Sequence, residues 1–115
     1  MTNLNNLRVY QIARSSCAAA YRLAAVIPVD PALRDQIRRA ATSVVLNIAE
    51  GRGRGTDADF ARFLVIARGS NTELIAQLTL AMDLGFVQQP AVEILADLDR
   101  LGRMLSTLIA RLRAG

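Results

Sequence analysis

The chain has 115 residues, of which 52% are hydrophobic but only 4% aromatic, so it has the material for one domain with a core of closely packed helices rather than a sheet needing β-branched and aromatic side chains. It contains no histidine, which removes a histidine base, a two-histidine zinc site and the histidine-containing ligand sets of carboxylate bundles; no metal or cofactor site is expected. Its fourteen cations, all arginine, outnumber ten acids for a formal charge of +4, a balance that suits a phosphate-bearing partner and that a coding bias toward Ala, Arg, Gly and Leu would produce equally well.

Helix one is predicted from Leu4 to Val26, with Tyr10, Cys17, Tyr21 and Ala24 near its inner face, ending before Pro28. Cys17 has no second cysteine to pair with, and among Ala18, Ala20, Tyr21 and Ala24 it suits a small buried position. The apolar run from Cys17 to Val29 is interrupted by Arg22 and Pro28 and is too short to span a bilayer, and no leader pattern opens the chain. A cytoplasmic protein without a membrane partner is expected.

Asp30-Pro31 is predicted to open helix two, aspartate as N-cap and proline in the first turn. Leu33, Ile37, Ala40, Ala41, Val44 and Ile48 form its core stripe. Gln36, Arg39, Ser43, Asn47 and Glu50 recur at the same spacing and make a second stripe in which every side chain can hydrogen-bond. Gly51 is the expected C′ residue, followed by the turn Gly51-Arg52-Gly53-Arg54-Gly55. That turn has glycines whose N–H groups can face an anion and arginines that can neutralise phosphate, but neither a Walker lysine nor a preceding strand. A glycine-terminated helix followed by a solvated turn explains it as well. No aromatic lies in it to stack on a base, and sequence-specific readout is not expected.

Thr56 or Asp57 is predicted to cap helix three, whose stripe Phe60, Leu64, Ala67, Leu74, Leu78 and Ala81 runs to Leu84 before Gly85. Ile66, Leu80 and Leu84 lie off that stripe on one side, which points to a second buried surface and hence to self-association. Pro90 opens helix four, with Leu95, Leu98, Leu101, Leu105, Leu108 and Leu112. Short connections between four such helices favour an all-α, antiparallel up-down-up-down four-helix bundle, homo-oligomeric in use.

Folding helices two and three about the turn near Arg54 puts position k level with about 109 minus k. Arg39 then falls near Ser70 and Glu73, and the helix-three row Ser70, Glu73 and Gln77 can meet the helix-two row as a hydrogen-bonded ladder with an Arg39–Glu73 ion pair. Such a ladder would register the bundle or an oligomer interface. Glu50 is about 16 Å along the helix from Arg39, so Arg54 or Arg62 is its nearer partner. The same topology gathers Arg8, Arg14, Arg52, Arg54, Arg62, Arg103, Arg111 and Arg113 at one end against Glu50, Asp57 and Asp59, leaving the opposite half slightly acidic.

LRVYQIA in helix one, QIRRAA from Gln36, the run from Asn47 to Arg54, and FLVIARGS followed by Glu73-Leu74 resemble the four-helix-bundle proteins encoded in intervening sequences of bacterial 23S ribosomal RNA. The accessory proteins of diversity-generating retroelements are similar. The resemblance covers nearly the whole chain and falls on Gln36, Arg39, Ala40, Asn47, Ile48, Ala49, Glu50, Gly51, Gly53, Arg54, Gly69, Ser70 and Glu73. It implies a small cytoplasmic bundle that assembles as a homopentamer; the accessory branch binds nucleic acid and a nucleic-acid enzyme, a reverse transcriptase.

The residues and the resemblance together lead to a non-enzymatic assembly whose basic face contacts RNA or DNA through Arg8, Arg52, Arg54, Arg62, Arg111 and Arg113, as accessory to a nucleoprotein. The alternative is a structural or protein-interaction module whose polar rows only set assembly. A third reading, a hydrolase using Glu50 or Glu73, has little support, because a lone carboxylate makes a poor active site.

Overall fold

Two of the helix starts follow directly from their caps. Asp30 Oδ1 accepts from the Leu33 N–H at 2.9 Å with Pro31 behind it, and Thr56 Oγ1 accepts from the Asp59 N–H at 3.2 Å. The computed structural model describes residues 3–27, 30–87 and 90–115. Within these, a 3-10 turn at Leu4–Asn6 is followed by α1 (Arg8–Ala24), α2 (Pro31–Gly53), α3 (Asp57–Asp83) and α4 (Pro90–Ala114), and no strand occurs among the described residues.

Helix one is shorter than its sequence predicts. Asn3 accepts from the Asn5 N–H at 3.0 Å, the Gln11 side chain donates to the Asn5 carbonyl at 2.8 Å, and Leu7 is extended, so local side-chain bonds hold the start apart from α1. Pro28, its expected stop, lies outside the described residues; α1 already ends at Ala24. Its inner face is also turned from the expected one. Val9, Ala13, Ser16, Ala20, Leu23 and Ala24 are buried, Tyr10 and Cys17 are half-buried and Tyr21 is exposed. Small residues let α1 approach its neighbours, while each tyrosine keeps its ring at the rim under an arginine, Arg14 over Tyr10 at 5.6 Å and Arg38 over Tyr21 at 5.5 Å.

The predicted stripes of α2 and α3 are buried throughout. In α4 the buried set is Ile94, Leu98, Leu101, Leu105 and Ile109, while Leu95, Leu108 and Leu112 are half-buried. The core divides lengthwise into two clusters, each drawing on all four helices. One holds Ala20, Leu33, Leu74 and Leu98; the other holds Val9, Ile48, Phe60, Leu105 and Ile109. The described residues span 46 × 20 × 19 Å.

Gly51 does not end α2 as expected. The helix runs on to Gly53, and the left-handed residue of the connection is Gly55 at φ +92°. Gly51 is instead buried where α2 meets α3. A side chain there would begin 2.6 Å from Phe63 Cβ and 3.2 Å from Phe60 Cδ1. Gly85, at φ +76°, follows α3 as predicted. Gly51→Ala is expected to lower stability by about 1–3 kcal/mol through overpacking. Gly53→Ala, with nothing within 4 Å of its added methyl, should be neutral or gain up to about 1 kcal/mol. Urea midpoints of the two variants check both; equal shifts would contradict the close approach at Gly51.

Candidate functional site

Among the described residues the two polar rows share one hydrogen bond, between Ser43 and Ser70. Ser43 Oγ and Ser70 Oγ lie 2.7 Å apart across α2 and α3, and Asn47 Nδ2 donates to both the Ser43 carbonyl at 2.8 Å and Ser43 Oγ at 3.0 Å. With Ser43 opposite Ser70 and Gly51 opposite Phe60 and Phe63, the register differs from the expected one by about one helical turn, because α2 continues past Gly51 and the connection lies further along the chain.

The rest of the expected ladder does not form, although this register leaves Arg39 nearly level with Glu73, because the outer members of the rows point to solvent. Among the described residues no ion pair joins Arg39 to Glu73; both are exposed, and Glu73 Oε1 accepts instead from Gln77 Nε2 at 3.1 Å within α3. Gln36 is exposed, and Glu50 pairs with Arg54 at 3.1 Å. The polar side chain that reaches across to another helix from deeper in the core is one the spacing did not single out: Asn71, buried, donates through Nδ2 to the Leu98 carbonyl of α4 at 2.8 Å. Its signal in the sequence is Gly102, whose lack of a side chain leaves room for it; a Cβ there would lie 3.3 Å from Asn71 Nδ2.

The arginines separate into two groups. Arg54 and Arg62 share the ring of Phe63, their guanidinium carbons 5.0 and 4.7 Å from its centroid. Each is held at its other side by a carboxylate, Glu50 for Arg54 and Asp59, at 3.4 Å, for Arg62. An aromatic therefore stands beside the glycine-arginine turn, supplied from the second turn of α3.

Arg52 turns the other way. It is half-buried and lines a depression of about 290 Å³ with Leu7, Gly55, Thr56, Asp57, Phe60 and Leu112, which joins the chain start, the α2–α3 connection and the end of α4. Arg8 and Arg111 face a neighbouring groove between α1 and α4, together with Arg100 and Arg103. Arg113 is exposed in the last turn of α4, where a cation is also favourable to the helix dipole. Arg100, Arg103 and Arg111 lie at three- and eight-residue spacing on one helical face, a pattern legible in the sequence but diluted there by counting charge per end rather than per face.

Cys17 is half-buried beside Thr42. Burial pushes its thiol above the ordinary value, opposed in part by a hydrogen bond with Thr42, so little thiolate is available near neutrality. Among the described residues no group of three or more Cys, Asp or Glu side chains is placed to hold a metal ion, and no helix is long and apolar enough to cross a membrane.

Double-mutant-cycle analysis of Ser43→Ala and Ser70→Ala is expected to give a coupling of about 0.5–1.5 kcal/mol in unfolding free energy. Glu73→Gln should shift stability by less than about 0.5 kcal/mol. Coupling between Arg39 and Glu73 larger than that between the serines would reinstate the ladder.

No curated protein matches the chain. A crystal structure of a protein of unknown function from the S23 ribosomal protein family of Bacteroides thetaiotaomicron VPI-5482 superposes with a TM-score of 0.81 at 22% identity, covering 88% of this chain and 97% of that one, and so shares its fold. The family described as 23S rRNA-intervening sequence protein matches residues 5–107, and those residues contain α1 to α3, most of α4, the Ser43–Ser70 contact and the arginine–phenylalanine cluster. The chain is a member of the 23S rRNA-intervening sequence protein family.

Proposed function

We propose that this protein is a non-enzymatic, single-domain bundle, antiparallel and up-down-up-down, that assembles as a homopentamer in the cytoplasm and contacts RNA or DNA through a basic face, as accessory to a nucleoprotein or a nucleic-acid enzyme. The observation that carries the proposal is the grouping of basic side chains at one end. The start of α1, the end of α2, the start of α3 and the end of α4 share one core cluster, and Arg8, Arg52, Arg54, Arg62, Arg111 and Arg113 all belong to those segments. Arginine at such an end neutralises phosphates without reading base sequence.

Phe63 adds to this reading. It fixes Arg54 and Arg62 within two turns of the connection, and exposed ion pairs as weak as theirs are displaced readily by a phosphate. Self-association is supported by Leu46 on α2, Ile66 and Leu80 on α3 and Leu84 just past its end, each about half exposed. The same residues favour the second reading, a structural or protein-interaction module that binds no nucleic acid.

Replacing Arg52 and Arg54 together is expected to weaken retention of unstructured RNA by a similar factor for unrelated sequences, and to reduce the slope of log affinity against log salt by about one to two. Filter binding across a salt series measures both, and light scattering of the same samples gives the subunit number. Salt-insensitive or absent RNA retention by the unaltered protein would leave the interaction-module reading.

A further inference from the structure

The groove between α1 and α4 has a composition that phosphate contact does not account for. It measures about 400 Å³ and is open along its length, with Leu7, Met104 and Leu108, all half-buried, on its floor and Arg8, Arg100, Arg103 and Arg111 on its rim. Arg103 is paired with Asp99 one turn earlier on α4. Arg8, Arg100 and Arg111 have no ion pair among the described residues.

We infer that this groove is a docking site for an acidic amphipathic helix of a second protein. A trough between two helices accepts a third through side-chain ridges, and its rim and floor specify what that helix carries. Four arginines ask for carboxylates, with which a guanidinium pairs in a bidentate fashion. An apolar floor asks for leucine-like side chains at three- and four-residue spacing, and Met104 adapts its shape to them. From Arg100 to Arg111 the groove runs about 16 Å along α4, the length of three helical turns. Nucleic acid matches it less well, since no aromatic lines the groove for stacking and a phosphate chain offers nothing to the apolar floor. The site shares Arg8 and Arg111 with the proposed nucleic-acid contact and goes beyond it at Arg100, Arg103 and Met104, which are outside the residues assigned to that contact.

The test uses the full chain and a fluorescein-labelled synthetic helix of about fifteen residues, with leucines on one face and glutamates elsewhere. A scrambled peptide of the same composition and an unstructured RNA serve as the other arms. The amphipathic peptide is expected to bind at least about tenfold tighter than the scrambled one, and Arg100→Glu or Met104→Glu to abolish that difference. Val26→Glu, at an exposed position of the α1–α2 connection, should leave it intact, and Arg100→Gln gives a milder variant should the glutamate unfold the chain. Equal binding of both peptides, or a preference that survives Arg100→Glu and Met104→Glu, overturns the site. So does a variant that loses RNA affinity while keeping the peptide, or one that changes the subunit number, since either result assigns the groove to another occupant. RNA binding by the unaltered protein is read separately, so its absence would not affect this conclusion.

Discussion

The contact of Gly51 with Phe60 and Phe63 governs the relation of α2 to α3, and through it most of what is specific to this molecule. Two helices can cross at such close range only where one of them has no side chain. That contact fixes the level at which the pair meets, and with it the meeting of Ser43 and Ser70 one turn from where a simple fold about Arg54 would put them. It also seats Phe63 so that Arg54 and Arg62 can both lie against its ring.

Charge in this protein is organised by face as much as by end. Among the described residues the ion pairs Arg54–Glu50, Arg62–Asp59 and Arg103–Asp99 are local to a helix or its end and exposed, so they add little to stability but orient the guanidinium groups. Arg54 and Arg62 are orientated on the α2–α3 side, while Arg8, Arg100 and Arg111 surround an apolar floor on the α1–α4 side. A basic end that looks uniform in the sequence is thus two chemically different surfaces, one backed by an aromatic ring and one by methionine and leucine.

The four helices, their caps at Asp30 and Thr56 and the stripes of α2 and α3 were legible because each depends on residues adjacent in sequence or one turn away. The face of α1 was less so, since tyrosine is amphipathic and its ring can serve at the rim as well as in the core. Gly51 is ambiguous in sequence for a physical reason: a glycine near the end of a helical pattern suits a left-handed terminus and a close crossing equally, and only the neighbouring helix decides between them. The Arg39–Glu73 pair is absent for a different reason: the two are nearly level, but both side chains lie in solvent and Glu73 takes its partner, Gln77, from one turn along its own helix. Asn71 was hidden by the same dependence, as its value lies in Gly102 on a helix some thirty residues away.

Only Arg54, Gly55 and Thr56 separate α2 from α3, and Gly55 makes the reversal in a conformation that other residues rarely adopt. So short a hinge has almost no slack. Whatever settles on the side chains flanking it would find the main chain already immobilised and would surrender little disorder on arrival, so its hold would rest on desolvation and ion release rather than on folding a loop around it.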